Sequence, residues 1–409
     1  MSFLLPLRFE FNVVLCLGAV YFLCVHRAHG QSALDDANDR PEVLVHVMPW
    51  FVGKMPDDEW GWHWTMGKTD PNQRDSSGAP SIAAHRHPLI GPYDSGDPHV
   101  IEYQLLTMKI AGVSGVIFDW YGLQDFRDYA ILHRNTERMI EQLNRYRLKF
   151  AICYEDQTVP ALVSAGKIQE ANRVAHVTAE LNWIAEHWFS QSNYARIAGR
   201  PILLSFGYSG LSTAEWQDAL SRLKAPPHYF SEHAPRFSGA GAYDWPIPQQ
   251  GADAVSRFNA VKNPQLPRIP VVYPGFHDYY AEAGLHSSYG RIDDERGKLF
   301  SRLLAEALSQ KCSYVQIATW NDWGEGTEIE PSRETGTRDL QELRRQIKRT
   351  GQADSTQSAV DLDLPHRILK LRRDKSDPPA IGASIDQAAM AIIAGRLEEA
   401  RRLLDACER

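Results

Sequence analysis

What most restricts the fold of this chain is a rhythm. Short apolar stretches recur at 43–49, 115–118, 150–153, 201–207, 228–230, 240–243, 269–274 and 315–318. Helical periodicity fills most of the gaps, over 98–111, 134–147, 168–189, 213–223, 250–262, 293–310 and 335–349. Strands buried on both faces read as continuous apolar runs, and their alternation with helices specifies a parallel sheet. The spacing predicts a (β/α)8 TIM-type barrel over residues 42–349. A doubly wound open sheet is the other solution, but no Gly-rich phosphate loop follows the first strand.

The ends of the strands favour the barrel. They carry Trp50, Asp119-Trp120-Tyr121, Tyr154-Glu155-Asp156, Tyr243-Asp244-Trp245, Phe276-His277-Asp278 and Asn321-Asp322. In a barrel all of these gather on one rim, where active sites form. The long segment from Trp50 to Pro98 adds Trp60, Trp62, His63, Trp64, His85, His87, Tyr93 and Asp94. A connection of that length in a compact domain is usually functional or disordered, and its aromatic content argues for function.

The stretch after the last strand is the densest in chemistry. Trp320 and Trp323 flank Asn321 and Asp322, and Glu325, Glu328 and Glu330 follow, with Gly324 and Gly326 between. Paired carboxylates among aromatics, with no cofactor motif, suggest cleavage of a glycosidic bond: one carboxyl protonates the leaving oxygen, the other is base or nucleophile. Fully extended, residues three apart hold their Cα atoms about 10 Å apart with side chains on opposite faces. Asp322 and Glu325 can therefore share a substrate only if the chain turns between them, which glycine permits. Glu328 and Glu330 compete for the same roles. The expected substrate-binding set is Trp50, His85, His87, Tyr93, Asp119, Trp120, Tyr121, Tyr154, Glu155, Asp156, Tyr243, Trp320, Asn321 and Trp323.

Other chemistries find less support. The histidines His63, His85, His87 and His99 have no spaced acidic partner, so no metal site is read from them. No Gly-x-Ser-x-Gly element is present, which disfavours an esterase. The net charge of −7 has both signs scattered, unlike the basic face of a nucleic-acid binder. Arg8, the apolar run 11–25 and Ala28-His29-Gly30 have the layout of a secretory signal over residues 1–30. An exported protein with no stable membrane span after cleavage is the expectation, periplasmic or extracellular. Cys153, Cys312 and Cys407, the cysteines beyond that signal, are too far apart in sequence to suggest a disulfide framework. After the barrel come a linker and docking segment over 350–382 and a helix pair over 383–409, in which 394–404 is similar to half of a tetratricopeptide unit.

Several stretches, in order, resemble glycoside hydrolase families 71 and 99 and their WbsX-like relatives. They are Val47-Met48-Pro49-Trp50-Phe51, 85–95, 111–122, Tyr154-Glu155-Asp156, and 315–332. The resemblance implies a (β/α)8 barrel, a secreted or envelope glycosidase without a cofactor, and a polysaccharide or oligosaccharide substrate. Family 99 cleaves internal α-mannosidic bonds with retention. In its proposed mechanism one carboxylate deprotonates the sugar 2-hydroxyl, which attacks the anomeric carbon, while a second carboxylic acid protonates the leaving group. Asp322 matches the first position and Glu325 the second. The family's Glu-Trp-His-Glu reads Asp322-Trp323-Gly324-Glu325 here. The shorter acid leaves open an alternative, a glycan-binding barrel that has lost catalysis.

Overall fold

The computed structural model of the chain describes residues 40–54, 59–261, 266–349, 359–374 and 379–409. The expected signal at 1–30, and residues 350–358 and 375–378 of the expected linker and docking segment, lie outside these residues. No described helix is long and apolar enough to cross a membrane.

Ten strand segments pair into one sheet. Arg196–Ile197 is a short antiparallel attachment to the fourth strand. Arg268–Ile269 and Val271–Val272 are two halves of one strand, interrupted at Pro270, which has no N–H to give the ladder. One half pairs with Gly241–Tyr243 and the other with Tyr314–Ile317, so the sheet closes on itself. The eight staves, in chain order, are Glu42–Val47, Gly115–Trp120, Lys149–Glu155, Arg200–Phe206, His228–Glu232, Gly241–Tyr243, the split seventh strand, and Tyr314–Ile317. Each pairs in parallel with its sequence neighbours, and the first pairs with the last. This is the (β/α)8 barrel that the strand rhythm predicts.

The helices follow from local signals. Asp97 caps the Pro98–Ala111 helix by accepting from the His99 N–H, Pro98 stands where its missing N–H is harmless, and Gly112 ends the helix at φ 90°. The expected helix over 134–147 instead spans Tyr129–Leu143, with Leu132, Met139, Ile140 and Leu143 on its buried face. The Thr213–Ser221 helix begins at a capping box: the Ser212 hydroxyl accepts from Glu215 N, and the Glu215 carboxylate accepts from Ser212 N. Between the fifth and sixth strands no helix is described. A short loop carrying His233 at φ 56° makes that connection.

The C-terminal segment packs back on the barrel. Leu364–Arg373 lies along Pro98–Ala111, which is consequently buried nearly all round. Arg372 clamps Glu102 with two bonds of 2.9 and 3.1 Å. Pro379–Ile393 and Leu397–Cys407 form the expected helix pair, turning at Gly395 with φ 77°, and both contact Leu364–Arg373. The half-repeat thus packs on the other two C-terminal helices, which in turn contact Pro98–Ala111.

Strand alternation decides what each decorated end can do. Successive side chains point to opposite faces. Asp119 and Glu155 point into the barrel mouth, so the intervening neighbours point out. Trp120 is fully buried between the Tyr129–Leu143 and Arg173–His187 helices, its Nε1 donating to His133 at 3.2 Å. Tyr154 donates to Glu180 at 2.5 Å in the same layer. Asp156 is fully buried and accepts from Gly210 N, Leu211 N, Trp216 Nε1 and Arg236 Nη2 at 3.0–3.3 Å. These three, expected to bind substrate, instead fasten the helix layer to the strands. Asp156→Ala would leave the Arg236 guanidinium buried without its carboxylate, a loss of about 3–5 kcal/mol. Urea denaturation should show that loss as a lower midpoint.

Candidate active site

The loop after the eighth strand is held as a closed turn. Thr319 N donates to Thr327 O at 2.9 Å and the two threonine hydroxyls meet at 3.1 Å. Within it, Asp322 N donates to Thr319 Oγ1 at 2.8 Å, and Glu325 N donates to Asp322 Oδ1 at 3.0 Å. The side chain of Asp322 therefore folds the chain so that both carboxyls belong to one turn. Gly326 completes it at φ 65°, where an added Cβ would lie 2.7 Å from the His277 carbonyl oxygen. Gly324 has ordinary φ, and its face is filled by the Met66 methyl from the long first loop. Gly326→Ala should lower stability by about 1–3 kcal/mol through left-handed strain. Thermal unfolding would read this as a drop in Tm.

The other two acids of the loop have protein partners. Glu328 pairs with Arg86 Nε at 2.5 Å, and Arg86 also donates to Gly326 O at 2.6 Å. Glu330 accepts from the Tyr93 hydroxyl at 2.7 Å and from Gln104 Nε2 at 2.9 Å. Asn321 exchanges two bonds with the backbone of Met48, 2.8 and 2.9 Å, and gives a third to Tyr93. Tyr93, Asn321, Trp320 and Trp323 are all buried. They lock the loop to the first strand's exit and lie beneath the cleft surface, where the sequence reading placed them as sugar contacts.

Asp322 and Glu325 remain as the loop's acids facing the cleft. Burial pushes Asp322 up to about 7, against the Glu325 and Gly324 N–H groups that favour its charged form. Burial, and then the charge of Asp322, hold Glu325 well above the ordinary carboxyl range, while the Tyr280 hydroxyl donates to it at 3.3 Å. Two more acids share this site. Asp119 is pushed up to about 8 by burial and by Asp322, and Glu155 is raised by burial and by Asp119. Four buried carboxyls so close cannot all be ionised, so the cluster retains protons at neutral pH.

Aromatic rings wall the cleft. Trp50 stacks on His63, with centroids 4.3 Å apart and planes 7° apart, and Tyr121 stands edge-on at 6.2 Å. His63 is bonded to Asp128 at 3.0 Å. Tyr121 feels the charges of Asp119, Glu155, Asp128 and Tyr280, after burial the causes of its raised pKa, so it faces the acidic cluster. Tyr280 belongs to an aromatic group with His286 and Tyr289 on the seventh strand's exit loop. On the far rim His233 bonds Asp244 at 2.8 Å and Glu232 at 3.3 Å. Burial opposes its charge, but these two acids win and push it up to about 9, leaving a cation beside the cleft.

Of the remaining expected residues, Tyr243 lies inside the barrel with its hydroxyl on Ser205 O at 3.0 Å. His85 stacks on His277 at 3.6 Å and bonds Asp278 O. His87 is taken up by Asp75 and Glu334. Residues not expected at the site are His63, Glu232, His233 and Tyr280. Tyr280 stands two residues beyond the Phe276-His277-Asp278 strand end, a position that the rim pattern points to but does not reach.

The barrel has counterparts among solved structures. The chain superposes on the GH99 endo-alpha-mannosidase from Bacteroides thetaiotaomicron with a TM-score of 0.55 and 17% identity, covering 77% of this chain and 99% of that one. A structure described as a glycoside hydrolase-like protein matches at TM-score 0.53, 15% identity, over 76% of this chain and 94% of that one. In sequence, a glycoprotein endo-alpha-1,2-mannosidase-like protein from Danio rerio is 23% identical over 276 residues, 61% of this chain. The Homo sapiens protein of the same description is 22% identical over 314 residues, 71% of this chain and 65% of its own length. In fold the chain is similar to a family 99 endo-alpha-mannosidase. It spans 60% of the length of the Danio rerio relative. No family model matches the chain. Asp322 and Glu325 lie in the loop that follows the last strand, Tyr314–Ile317.

Proposed function

We propose that the chain is a retaining glycoside hydrolase that cuts an α-mannosidic bond within a polysaccharide or oligosaccharide. The observation that carries this reading is the ordering of two acids in one turn. Asp322 accepts the Glu325 N–H at 3.0 Å, so both carboxyls stand in one turn, and burial and then the charge of Asp322 favour a proton on Glu325. Pairs of acids whose environments push their pKa values apart divide into acid and base. Glu325 is the general acid and Asp322 the base.

In the first half-reaction Asp322 takes the proton of the sugar 2-hydroxyl. O2 bonds to the anomeric carbon as the bond from that carbon to the leaving oxygen breaks, and Glu325 gives that oxygen its proton. In the second, the Glu325 carboxylate takes a proton from water. The water oxygen bonds to the anomeric carbon, the bond to O2 breaks, and Asp322 returns its proton to O2. Two inversions give net retention, and both carboxyls end as they began. Trp50 and Tyr121 offer flat faces for the apolar side of the sugar ring.

The pH profile tests these roles. kcat/KM should rise with pH through about 7 as Asp322 ionises, then fall at higher pH as Glu325 loses its proton. A profile that is flat from about pH 5 to 9 would contradict the assignment. The alternative, a non-catalytic glycan-binding barrel, draws support from Asp322 standing where the family has glutamate. Glycan binding in calorimetry with no product over days would favour it. Sequence alone supports one further part of the proposal, export through residues 1–30.

A further inference from the structure

At the floor of the acidic cleft, Asp119 of the carboxyl cluster meets two further polar side chains, and none of the three has a step in the proposed hydrolysis. His46, Asp119 and Cys153 come from the first, second and third strands. Asp119 and Cys153 are partners in register, and His46 pairs with Ile117, two residues before Asp119. One ligand atom from each lies within 4.8 Å of the others. All three residues are buried, at 1%, 4% and 0% exposure. A satisfied polar core would have these atoms bonded to neighbours. Among the described residues, however, Oδ1 of Asp119 has no hydrogen-bond partner, and neither ring nitrogen of His46 makes a well-formed bond, with Gln316 lying beside it. Buried polar atoms without partners are costly, and several converging on one point call for an explanation.

We propose that His46, Asp119 and Cys153 bind a thiophilic divalent cation of the Zn2+ class in the barrel floor.

The donor set selects the ion. Nitrogen, carboxylate oxygen and thiolate suit Zn2+ or a similar borderline-soft ion, whereas Mg2+ and Ca2+ require mostly oxygen donors in larger number. Three protein ligands leave a fourth position for water. The charges also balance. A thiolate and a carboxylate neutralise the dication, so it occupies a buried site without net charge. A second shell is in place. The Tyr243 hydroxyl is 3.7 Å from Cys153 Sγ, and Gln316, with its own Oε1 unpartnered, lies beside His46. The rim cluster of His85, His277 and Glu282 is a poorer candidate. Its two imidazoles are stacked 3.6 Å apart and 4° from parallel, so one ion cannot lie in both ring planes.

The test uses the full chain, stripped with a chelator, and needs no glycan, so its result is independent of hydrolysis. Zn2+ titrated by calorimetry should bind with one equivalent at the floor. Co2+ in its place should give a thiolate-to-metal charge-transfer band. Cys153→Ser should abolish the band and weaken Zn2+ binding by more than the ~10–100-fold typical of second-shell losses. Tyr243→Phe should keep the band with weakening inside that range. His85→Ala should change neither. His46→Gln supplies an independent ligand loss if Cys153→Ser fails to fold by circular dichroism. Absence of stoichiometric binding, a Co2+ complex without the band, or binding lost with His85→Ala and kept with Cys153→Ser would each overturn the proposal.

Discussion

Glu325→Gln is expected to slow glycan cleavage by about 10²–10⁴-fold, the contribution of a positioned general acid. The substitution keeps the size and shape of the side chain, and its amide can still meet the Tyr280 hydroxyl that lies 3.3 Å from Glu325 Oε1. The turn is untouched, because it is built from Glu325 backbone groups: its N–H on Asp322 Oδ1 and its carbonyl accepting from His277 N at 2.8 Å. What is lost is the proton that burial and the charge of Asp322 hold there. The loss should therefore fall on kcat, with KM little changed, as for an interaction made only in the transition state. A leaving group of low pKa, such as a nitrophenolate, needs little protonation, so the same variant should lose much less on such a substrate. Comparing the two substrates separates acid catalysis from a general disturbance of the cleft.

Asp322→Asn should abolish turnover to a similar degree and, unusually for a substitution at a buried site, raise stability above neutral pH. An asparagine cannot deprotonate the 2-hydroxyl, yet its side-chain oxygen can still accept the Glu325 N–H that Asp322 Oδ1 accepts at 3.0 Å. The stability effect follows from linkage. Asp322 has a folded-state pKa raised to about 7, above its unfolded value. The folded chain thus binds more protons than the unfolded chain between those values, and stability falls as pH rises through that window. The contribution is intact below the unfolded pKa and lost once pH passes the folded one. The Tm of the wild type should therefore fall between about pH 5 and 8 more steeply than that of Asp322→Asn. Equal slopes would mean that Asp322 does not carry the buried charge.

The barrel was legible because parallel strands buried on both faces announce themselves as apolar runs, and because their ends are decorated on one rim. The split seventh strand illustrates the limit. The run 269–274 was visible, but that Pro270 divides it between two neighbours depends on closure of the sheet. The site was legible where chemistry is concentrated in sequence, in the turn from Trp320 to Glu330. It was less so on the strands. Asp119 and Trp120 are adjacent in sequence and point to opposite faces, as do Glu155 and its neighbours Tyr154 and Asp156. Taking whole strand ends as site residues mixed the cleft with the helix layer behind it. Tyr93 and Asn321 were misplaced for another reason. Their composition suits sugar binding equally well, and only their partners, Glu330 and the Met48 backbone, reveal that they brace the turn. Glu232, His233 and Asp244 were hidden because their meeting depends on which strands become neighbours.

The central claim is that Asp322 and Glu325 cut a glycosidic bond with retention. Its most direct test follows the anomeric proton of the first product by NMR as the purified chain meets α-1,2-linked manno-oligosaccharides within a wider polysaccharide panel. The wild type should release product in the α configuration from its best substrate, before mutarotation, and Glu325→Gln should do so at least about 100-fold more slowly. Release of the β anomer, or a Glu325→Gln rate within tenfold of wild type, would contradict it.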